Sequence, residues 1–134
     1  RHFFEHLTYS EIKDLLVKLE RILIKDGIVK IIVPHWGNPY YYSDPTHKTF
    51  FGLYSFEYLI KKPYFKRKVP SYSQITNLHI KDVNLNFITF KILRPFAKLL
   101  SCFLNLNSFF LELYEALFAN IFPPYEIEFI LEKN

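Results

Sequence analysis

The chain has 134 residues, a length that fits one domain or part of one. Apolar residues make up 50% and aromatic residues 19%, which excludes intrinsic disorder, because this much apolar surface collapses into a core. The formal net charge of +4 comes without a dense basic stripe and does not indicate a dedicated nucleic-acid binder. The one cysteine excludes an intrachain disulfide and indicates a reducing compartment, so we expect a cytoplasmic protein.

Two absences bear on chain boundaries and cofactors. The sequence contains no Met, so we expect it to begin inside a longer protein or after a trimmed segment. Its three glycines, Gly27, Gly37 and Gly52, are far apart, and no Gly-rich phosphate or dinucleotide loop can be written with them. The most membrane-like stretch, residues 99–111, is too short to span a bilayer, so we expect no transmembrane segment.

The first predicted element is an amphipathic helix. Apolar residues recur with helical spacing over residues 12–23, and charged residues take the opposite face. Thr8 and Glu11 have the spacing of a capping box, which satisfies two backbone amides at the helix start. Gly27 stands where a left-handed residue commonly ends a helix.

A strand, a loop and a short helix follow. The apolar, β-branched residues 28–33 predict a strand covered on both faces, as in a parallel sheet, and Pro34 ends it. Residues 35–52 break every periodicity and predict a loop at the carboxyl end of that strand, where open α/β sheets bind ligands. Ser55 has the position of a cap for a short helix over residues 56–61.

The second half predicts a strand, a long helix and a final strand. Residues 78–90 alternate as a strand, with a slip near residues 81–82 that a β-bulge would explain. Residues 96–121 form a wide helical stripe, and residues 125–132 alternate apolar with glutamate, which is typical of an antiparallel edge strand. The element order favours an α/β fold, a parallel sheet that finishes with an antiparallel strand and has helices packed on it.

Two other features have more than one interpretation. Five cations between Lys61 and Lys68 could contact phosphate on RNA or lipid, or form a solvated turn. The stripe of residues 96–121 is core or a partner-docking face, because it lacks the Lys/Arg-rich polar face of a membrane-surface helix. Cys102 lies within this stripe, and we expect it to be buried and inert.

Residues 2–7 (HFFEHL), residues 19–27 (LERILIKDG) and residues 31–34 (IIVP) resemble the second half of a class I S-adenosylmethionine-dependent methyltransferase. In that family a segment like EHL follows the fourth strand, a segment like R-hydrophobic-L-K-x-G-G precedes the fifth, and the fifth often ends in Pro. Here Asp26 stands in place of the first of the two glycines. The loop that follows further resembles a bacterial branch of uncharacterised methyltransferases.

This resemblance implies a Rossmann-like half-sheet whose last strand is the family's antiparallel seventh strand. It implies that residues 1–134 are the carboxyl-terminal part of one methyltransferase domain, and that S-adenosylmethionine binds mostly in an amino-terminal half absent from this chain. That half is then the principal partner, and no cofactor-binding residue can be named here. We expect the chain alone to be inactive, to be poorly soluble or self-associate, and to bind the cofactor weakly at best. The acceptor would be an oxygen or nitrogen nucleophile.

The resemblance also suggests a metal site. Some methyltransferases, including small-RNA 2′-O-methyltransferases and ubiquinone-pathway O-methyltransferases, hold a divalent metal with a segment like E-x-x-E-H, and the small-RNA enzymes add a later histidine. Glu5 and His6 match this segment, His2 replaces its first glutamate, and His47 is a comparable later histidine. Exchanging Glu for His makes the site less acidic and favours a softer ion than Mg²⁺.

Other interpretations of these side chains stay open. His-x-x-Glu-His is also the inverted zinc-peptidase signature, which needs a helix and a third ligand such as Glu57 or Glu112. Without a metal, His6, His47 or His35 could act as general base or orient the substrate, because histidine titrates near neutrality. The Glu-His pair could also only cap the following helix.

The aromatic loop offers a further candidate site. His35 and Trp36 directly follow the first strand and could line an acceptor pocket with the tyrosines at 40–42, or only pack as a loop. His79 lies in a strand, and we expect a structural role for it. A different class of function is a non-catalytic interaction module that retains the half-fold without the cofactor chemistry.

Overall fold

The computed structural model of the protein describes residues 1–60, 62–70, 76–87 and 91–134. Within these ranges it is a mixed α/β fold, and a 3₁₀ turn at Phe4–His6 precedes its regular elements. In chain order these are α1 (Tyr9–Ile22), β1 (Ile28–Pro34), β2 (Leu78–Asn86), α2 (Arg94–Leu104), α3 (Ser108–Leu117) and β3 (Glu126–Lys133). None of the described helices is both long enough and apolar enough to cross a membrane.

The last strand lies in the middle of a three-stranded sheet with the order β1-β3-β2. It pairs antiparallel with both neighbours, and Phe129 faces Ile31 on one side and Val83 on the other. The prediction of an edge strand is therefore wrong. β1 and β2 run in the same direction, but no two adjacent strands in the described ranges are parallel.

Ion pairs to the flanking strands explain why the middle strand has an alternating, polar pattern. The Lys30 ammonium of β1 lies 2.8 Å from the Glu128 carboxylate, and the Lys81 ammonium of β2 lies 2.6 Å from the Glu132 carboxylate. The alternation thus reflects one sheet face covered by charged side chains. It shows which residues share a face, and it carries no information on the number of neighbouring strands.

The expectation that β1 is covered on both faces is not confirmed, because its buried residues Ile31 and Val33 share one face and Ile32 on the other face is only half-buried. Ile28 is 53% exposed and Lys30 is exposed, whereas Ile31 and Val33 are buried. The first residues of the strand extend beyond the core, and a run of β-branched residues does not show where burial begins.

The core lies between the sheet and residues from α1 and the central loop. Ile127, Phe129 and Leu131 of β3 are fully buried and belong to the same apolar cluster as Leu16 of α1. Phe56 packs against Phe129 with the ring centroids 4.7 Å apart. Burying side chains of this size contributes about 1.5–3 kcal/mol each to stability.

Helix α1 begins as predicted and ends differently. The Thr8–Glu11 capping box is present. The residue with a left-handed backbone is Asp26, at φ 60°, and not Gly27. Glycine is needed at position 27 because a Cβ there would lie 2.8 Å from the carbonyl oxygen of Ile24.

The predicted short helix over residues 56–61 is a series of turns instead, and residue 61 lies outside the described ranges. The backbone N–H of Leu59 donates to the carbonyl of Phe56 at 3.0 Å, and Ser55 accepts the N–H of Gly52 at 2.9 Å. Phe56, Leu59 and Ile60 are all buried, so the segment lacks the solvated face that an amphipathic helix presents.

The predicted strand over residues 78–90 is confirmed over residues 78–86, with its register shift between Ile80 and Asp82. Residues 88–90 lie outside the described part of the chain. The parity slip in the sequence therefore marked a real irregularity of the ladder.

The long apolar stripe divides into α2 and α3 at residues 105–107. Asn107 caps α3 by accepting the N–H of Phe110 at 3.2 Å. Asn105 reaches β2, where its Oδ1 accepts the N–H of Leu85 at 2.8 Å and its Nδ2 donates to the Leu85 carbonyl at 3.1 Å.

The expectation of a buried thiol is wrong, because Cys102 is exposed while Ala97 forms the buried side of α2.

Replacing Asn105 with Ala should leave both main-chain groups of buried Leu85 without a partner. We expect a loss of about 1–3 kcal/mol in the free energy of unfolding, measured by urea denaturation. Asn84→Ala is the matched control, since Asn84 on the same strand is only half-buried and donates to the side chain of Asp82. An equal loss in both variants would show that the Asn105 contact does not stabilise the sheet.

Candidate functional site

The candidate site forms where β1 ends. The backbone N–H of His2 donates to the Ile32 carbonyl at 2.8 Å, which places the 3₁₀ turn Phe4–His6 beside this end of the strand. The loop that leaves β1 folds back over the turn, and the N–H groups of residues 48 and 49 donate to the Glu5 carbonyl at 2.7 and 3.2 Å. Two segments distant in sequence are therefore joined by main-chain hydrogen bonds.

Three of the predicted site residues come together here. Glu5, His6 and His47 each offer one possible ligand atom, and these atoms all lie within 4.8 Å of one another. The imidazole rings of His6 and His47 have centroids 4.9 Å apart and are tilted by 59°. Their separation is suited to a shared ligand.

The Glu5 carboxylate is the least satisfied group of the site. Its side chain is fully buried, and neither carboxylate oxygen has a hydrogen-bond partner in the described structure. The nearest basic atoms are Nδ1 of His2 at 3.5 Å and Nε2 of His6 at 4.0 Å, both measured to Oε1. A buried carboxylate without a partner is costly unless a cation or proton compensates it.

A hydrogen-bond chain fixes the tautomer of His6. The Thr46 hydroxyl donates to Oδ1 of Asp44 at 2.6 Å, and Nδ1 of His6 lies 2.9 Å from the same hydroxyl oxygen. Because Thr46 has one hydroxyl hydrogen, Nδ1 of His6 must carry the proton and donate it. In the neutral ring the lone pair is then on Nε2, which lies 4.0 Å from Oε1 of Glu5.

His47 is held in the same tautomer by a different acceptor. Its Nδ1 lies 2.9 Å from the backbone carbonyl of Tyr41, which can only accept, so Nδ1 carries a proton. In the neutral ring the lone pair is then on Nε2, which lies 3.6 Å from Oδ2 of Asp44. The Tyr41 ring packs against the imidazole with centroids 4.5 Å apart. Burial raises the pKa of Tyr41 to about 12, so this tyrosine stays neutral.

These residues fit a divalent cation. One carboxylate and two imidazoles are a donor set found at catalytic zinc sites and at non-haem iron sites, and Mg²⁺ prefers more oxygen ligands. Histidine ligands usually donate the second ring N–H to a carbonyl or a polar side chain, and His6 and His47 both do so. The buried, unpartnered carboxylate of Glu5 supplies the negative charge.

His2 lies beside this group without belonging to it. Its Nε2 is 2.5 Å from Oε1 of Glu126, and Arg1 donates to the same oxygen at 2.7 Å. His2 therefore lies between two acids, with Nε2 against Glu126 at the start of β3 and Nδ1 3.5 Å from Oε1 of Glu5. The zinc-peptidase interpretation also lacks its helix, because the motif lies in a three-residue 3₁₀ turn.

His35 lies outside the group and is fully buried. Its Nδ1 accepts the N–H of Gly37 at 3.0 Å, so its Nε2 carries the proton and donates to Oε2 of Glu115 at 3.1 Å. Leu53 N–H donates to the same carboxylate oxygen at 3.0 Å. One ring nitrogen of His35 thus holds the turn of its own loop, and the other binds the loop to α3.

The aromatic loop is partly packed and partly exposed. Trp36 stacks against His35 with ring centroids 5.1 Å apart. Tyr41 is buried, whereas Tyr40 and Tyr42 are each 68% exposed. The structure therefore places Tyr41 in the site and leaves its two neighbours at the surface.

The other carboxylates considered as zinc ligands are used elsewhere. Glu57 accepts the N–H groups of Tyr64 and Phe65 at 2.6 and 2.7 Å, and burial raises the pKa of Glu57. Glu112 accepts the hydroxyl of Tyr54 at 3.0 Å. His79 lies in the sheet, where its Nε2 is 3.2 Å from Oε2 of Glu132.

Sequence reasoning missed Asp44 and Thr46. The side chain of Asp44 accepts the backbone N–H of Thr46 at 2.8 Å. This hydrogen bond closes a turn just before His47, of the kind that an Asp-Pro-Thr sequence favours. Hydrogen bonds lower the pKa of Asp44, the larger effect coming from the Thr46 hydroxyl and the smaller from the Thr46 backbone N–H. The Asp-Pro-Thr turn was the available signal, and its link to His6 appears only in three dimensions.

The chain matches no protein-family model, no curated protein and no solved structure. The functional interpretation therefore depends on the site geometry and on the resemblance in the sequence.

Removing the Thr46 hydroxyl tests the hydrogen-bond chain. The pKa of Asp44 is lowered in the folded protein, so its contribution to stability exists above the unfolded-state pKa and is lost as the pH falls through the folded-state pKa. Thr46→Val should raise the pKa of Asp44 toward its ordinary value, measured by carboxyl-carbon NMR titration. Thr49→Val is the control, because the Thr49 hydroxyl donates to the Leu7 carbonyl. An unchanged Asp44 pKa in Thr46→Val would contradict this assignment.

Proposed function

We propose that this chain is the carboxyl-terminal part of a class I S-adenosylmethionine-dependent methyltransferase. Glu5, His6 and His47 form the acceptor side of its active centre and hold a divalent cation. The observation that carries the proposal is their convergence within 4.8 Å, since the resemblance assigned these residues to one site from two distant segments.

The strand directions support the same proposal. The methyltransferase resemblance requires parallel strands followed by an antiparallel last strand. β1 and β2 share one direction and β3 runs opposite to both. The proposal places the cofactor-binding strands and their Gly-rich loop upstream of Arg1, on the side of β1 where His2 already donates to Ile32.

Methyl transfer places modest chemical demands on the protein. The sulfonium, the methyl group and the acceptor must lie in line, and holding them there supplies most of the rate enhancement. A bound divalent cation would supply a Lewis-acid contact to the acceptor oxygen. Glu5 provides a buried carboxylate, and the Nδ1 hydrogen bonds of His6 and His47 leave Nε2 as the ring atom that each neutral imidazole can offer to a ligand. In the absence of a cation, either lone pair can accept the acceptor's proton.

The first test measures the cation site alone. Zn²⁺ or Mn²⁺ titrated into the chain by calorimetry should bind with one ion per chain. Glu5→Gln and His47→Ala should each weaken binding by at least about tenfold, because each removes a ligand. His79→Ala is the control and should leave the affinity unchanged, since His79 pairs with Glu132 in the sheet. Equal affinities in all three variants would place the ion elsewhere.

The second test concerns the methyl donor. The protein extended by the residues encoded upstream of Arg1 should bind S-adenosylmethionine with micromolar affinity, whereas the 134-residue chain alone should bind it weakly at best. In the longer protein, His47→Ala should lower the release of S-adenosylhomocysteine against a panel of phenols, carboxylates and amines. Cofactor affinity should change little, because His47 lies on the acceptor side.

The same experiment separates the alternative function. If the longer protein does not bind S-adenosylmethionine, the methyltransferase proposal fails and a non-catalytic interaction module is favoured. The calorimetric cation test is independent of that outcome, because it needs only Glu5, His6 and His47.

A further inference from the structure

Helices α2 and α3 expose an apolar groove to solvent. The groove has a volume of about 640 Å³, and its lining includes Phe96 and Phe103 from α2 and Leu113 from α3. Beside it, Leu99 is 69% exposed, and Ile121, which follows α3, is 77% exposed. We refer to the exposed apolar residues of 92–121 as the hairpin face.

The hairpin face continues beyond the groove in both directions along α2. Ile92, just before the helix, is 84% exposed, and Leu106, just after it, is 65% exposed. The spacing from Ile92 through Phe96, Leu99 and Phe103 is helical, so these side chains form one stripe. A contiguous exposed apolar surface of this kind marks an interaction site.

The charges around the hairpin face are positive. Residues 91–106 contain Lys91, Arg94 and Lys98 and no acidic residue, and all three cations are exposed. Arg94 and Lys98 are separated by one helical turn and lie on the side of α2 away from the apolar stripe. Cations thus lie beside α2, although the stripe of residues 96–121 itself contains a single one, Lys98.

The acidic residues of α3 are directed to the central loop. Glu112 accepts the backbone N–H of Arg67 at 3.0 Å, and Glu115 binds His35. The residues that line the groove are all apolar. At the start of α3, the Lys66 ammonium lies 5.0 Å from the ring centroid of Phe109 and adds a cation to the border of the hairpin face.

We propose that the hairpin face docks this protein on an anionic lipid membrane, with α2 lying in the interface. The apolar stripe enters the boundary between headgroups and acyl chains, and Lys91, Arg94 and Lys98 contact the phosphates. Charge complementarity distinguishes this occupant from a second copy of the chain, which would bring two cationic borders together. The proposal stands on the hairpin alone and holds whether or not the chain transfers methyl groups.

Vesicle flotation tests the proposal with the full chain. Binding to phosphatidylcholine vesicles that contain phosphatidylglycerol should exceed binding to phosphatidylcholine alone, and salt should weaken it. The double variant Arg94→Glu/Lys98→Glu should lower the partition coefficient by about 30-fold or more, because each cation near an anionic surface contributes about fivefold. Leu99→Ser/Phe103→Ser should lower it by at least about tenfold.

Matched controls lie on and just after α1. Ile22→Ser/Ile24→Ser replaces apolar residues that are 76% and 80% exposed, and Lys18→Glu/Lys25→Glu reverses two exposed cations. Both controls should leave vesicle binding unchanged. The charge variants change only exposed side chains, so they test the proposal even if an apolar variant folds poorly.

Three results would overturn the membrane assignment. They are equal binding to neutral and anionic vesicles, equal binding of the hairpin and control variants, and failure of the chain to float with anionic vesicles. If sedimentation instead shows a dimer that Leu99→Ser/Phe103→Ser dissociates, a second copy covers the hairpin face and the proposal is wrong.

Discussion

The buried carboxylate of Glu5 is the constraint on which the site depends. A second acid, Glu126, is buried at the same end of the sheet, where Arg1 forms an ion pair with it and Nε2 of His2 lies against the same oxygen. The Glu5 carboxylate has no hydrogen-bond partner among the described residues, and the nearest basic atoms, on His2 and His6, lie 3.5 and 4.0 Å from Oε1. Its backbone carbonyl accepts two N–H groups from the loop that carries His47. The backbone of Glu5 thus holds the loop that carries His47, and the side chain of Glu5 places a carboxylate beside that histidine. Burying a carboxylate without a hydrogen-bond partner is costly, so Glu5 is the group that a cation at this site would compensate.

The sheet holds the turn that carries Glu5 in a fixed position. Because β3 is bonded on both sides, β1 and its carboxyl end cannot shift in register without breaking the Lys30–Glu128 pair and the apolar contacts of Phe129. The 3₁₀ turn is attached to that end through Ile32, and the loop is attached to the turn. The candidate ligands are therefore positioned by main-chain hydrogen bonds to a rigid strand, although they lie on a turn and a loop.

Local signals predicted local structure well. The capping box set the start of α1, and the parity slip located the irregularity between Ile80 and Asp82. The errors arose where distant contacts decide the outcome. The division of the long stripe depends on Asn105 binding a strand, and the central position of β3 depends on two partners that no local pattern encodes. The resemblance to methyltransferases suggested that Glu5, His6 and His47 share a site. The local sequence gave no sign that His35 is buried and paired with Glu115 of α3, because that contact joins distant segments.

The contact between Asn105 and Leu85 has a consequence for how the sheet can grow. The N–H and C=O of Leu85 point away from β3, on the outer edge of β2, and a side-chain amide already occupies both. An incoming strand from another molecule would have to displace that amide before it could continue the ladder, which protects this edge from intermolecular β-pairing. Extension of the sheet is therefore directed to the opposite border, beside β1, where the backbone of His2 has made the first bond.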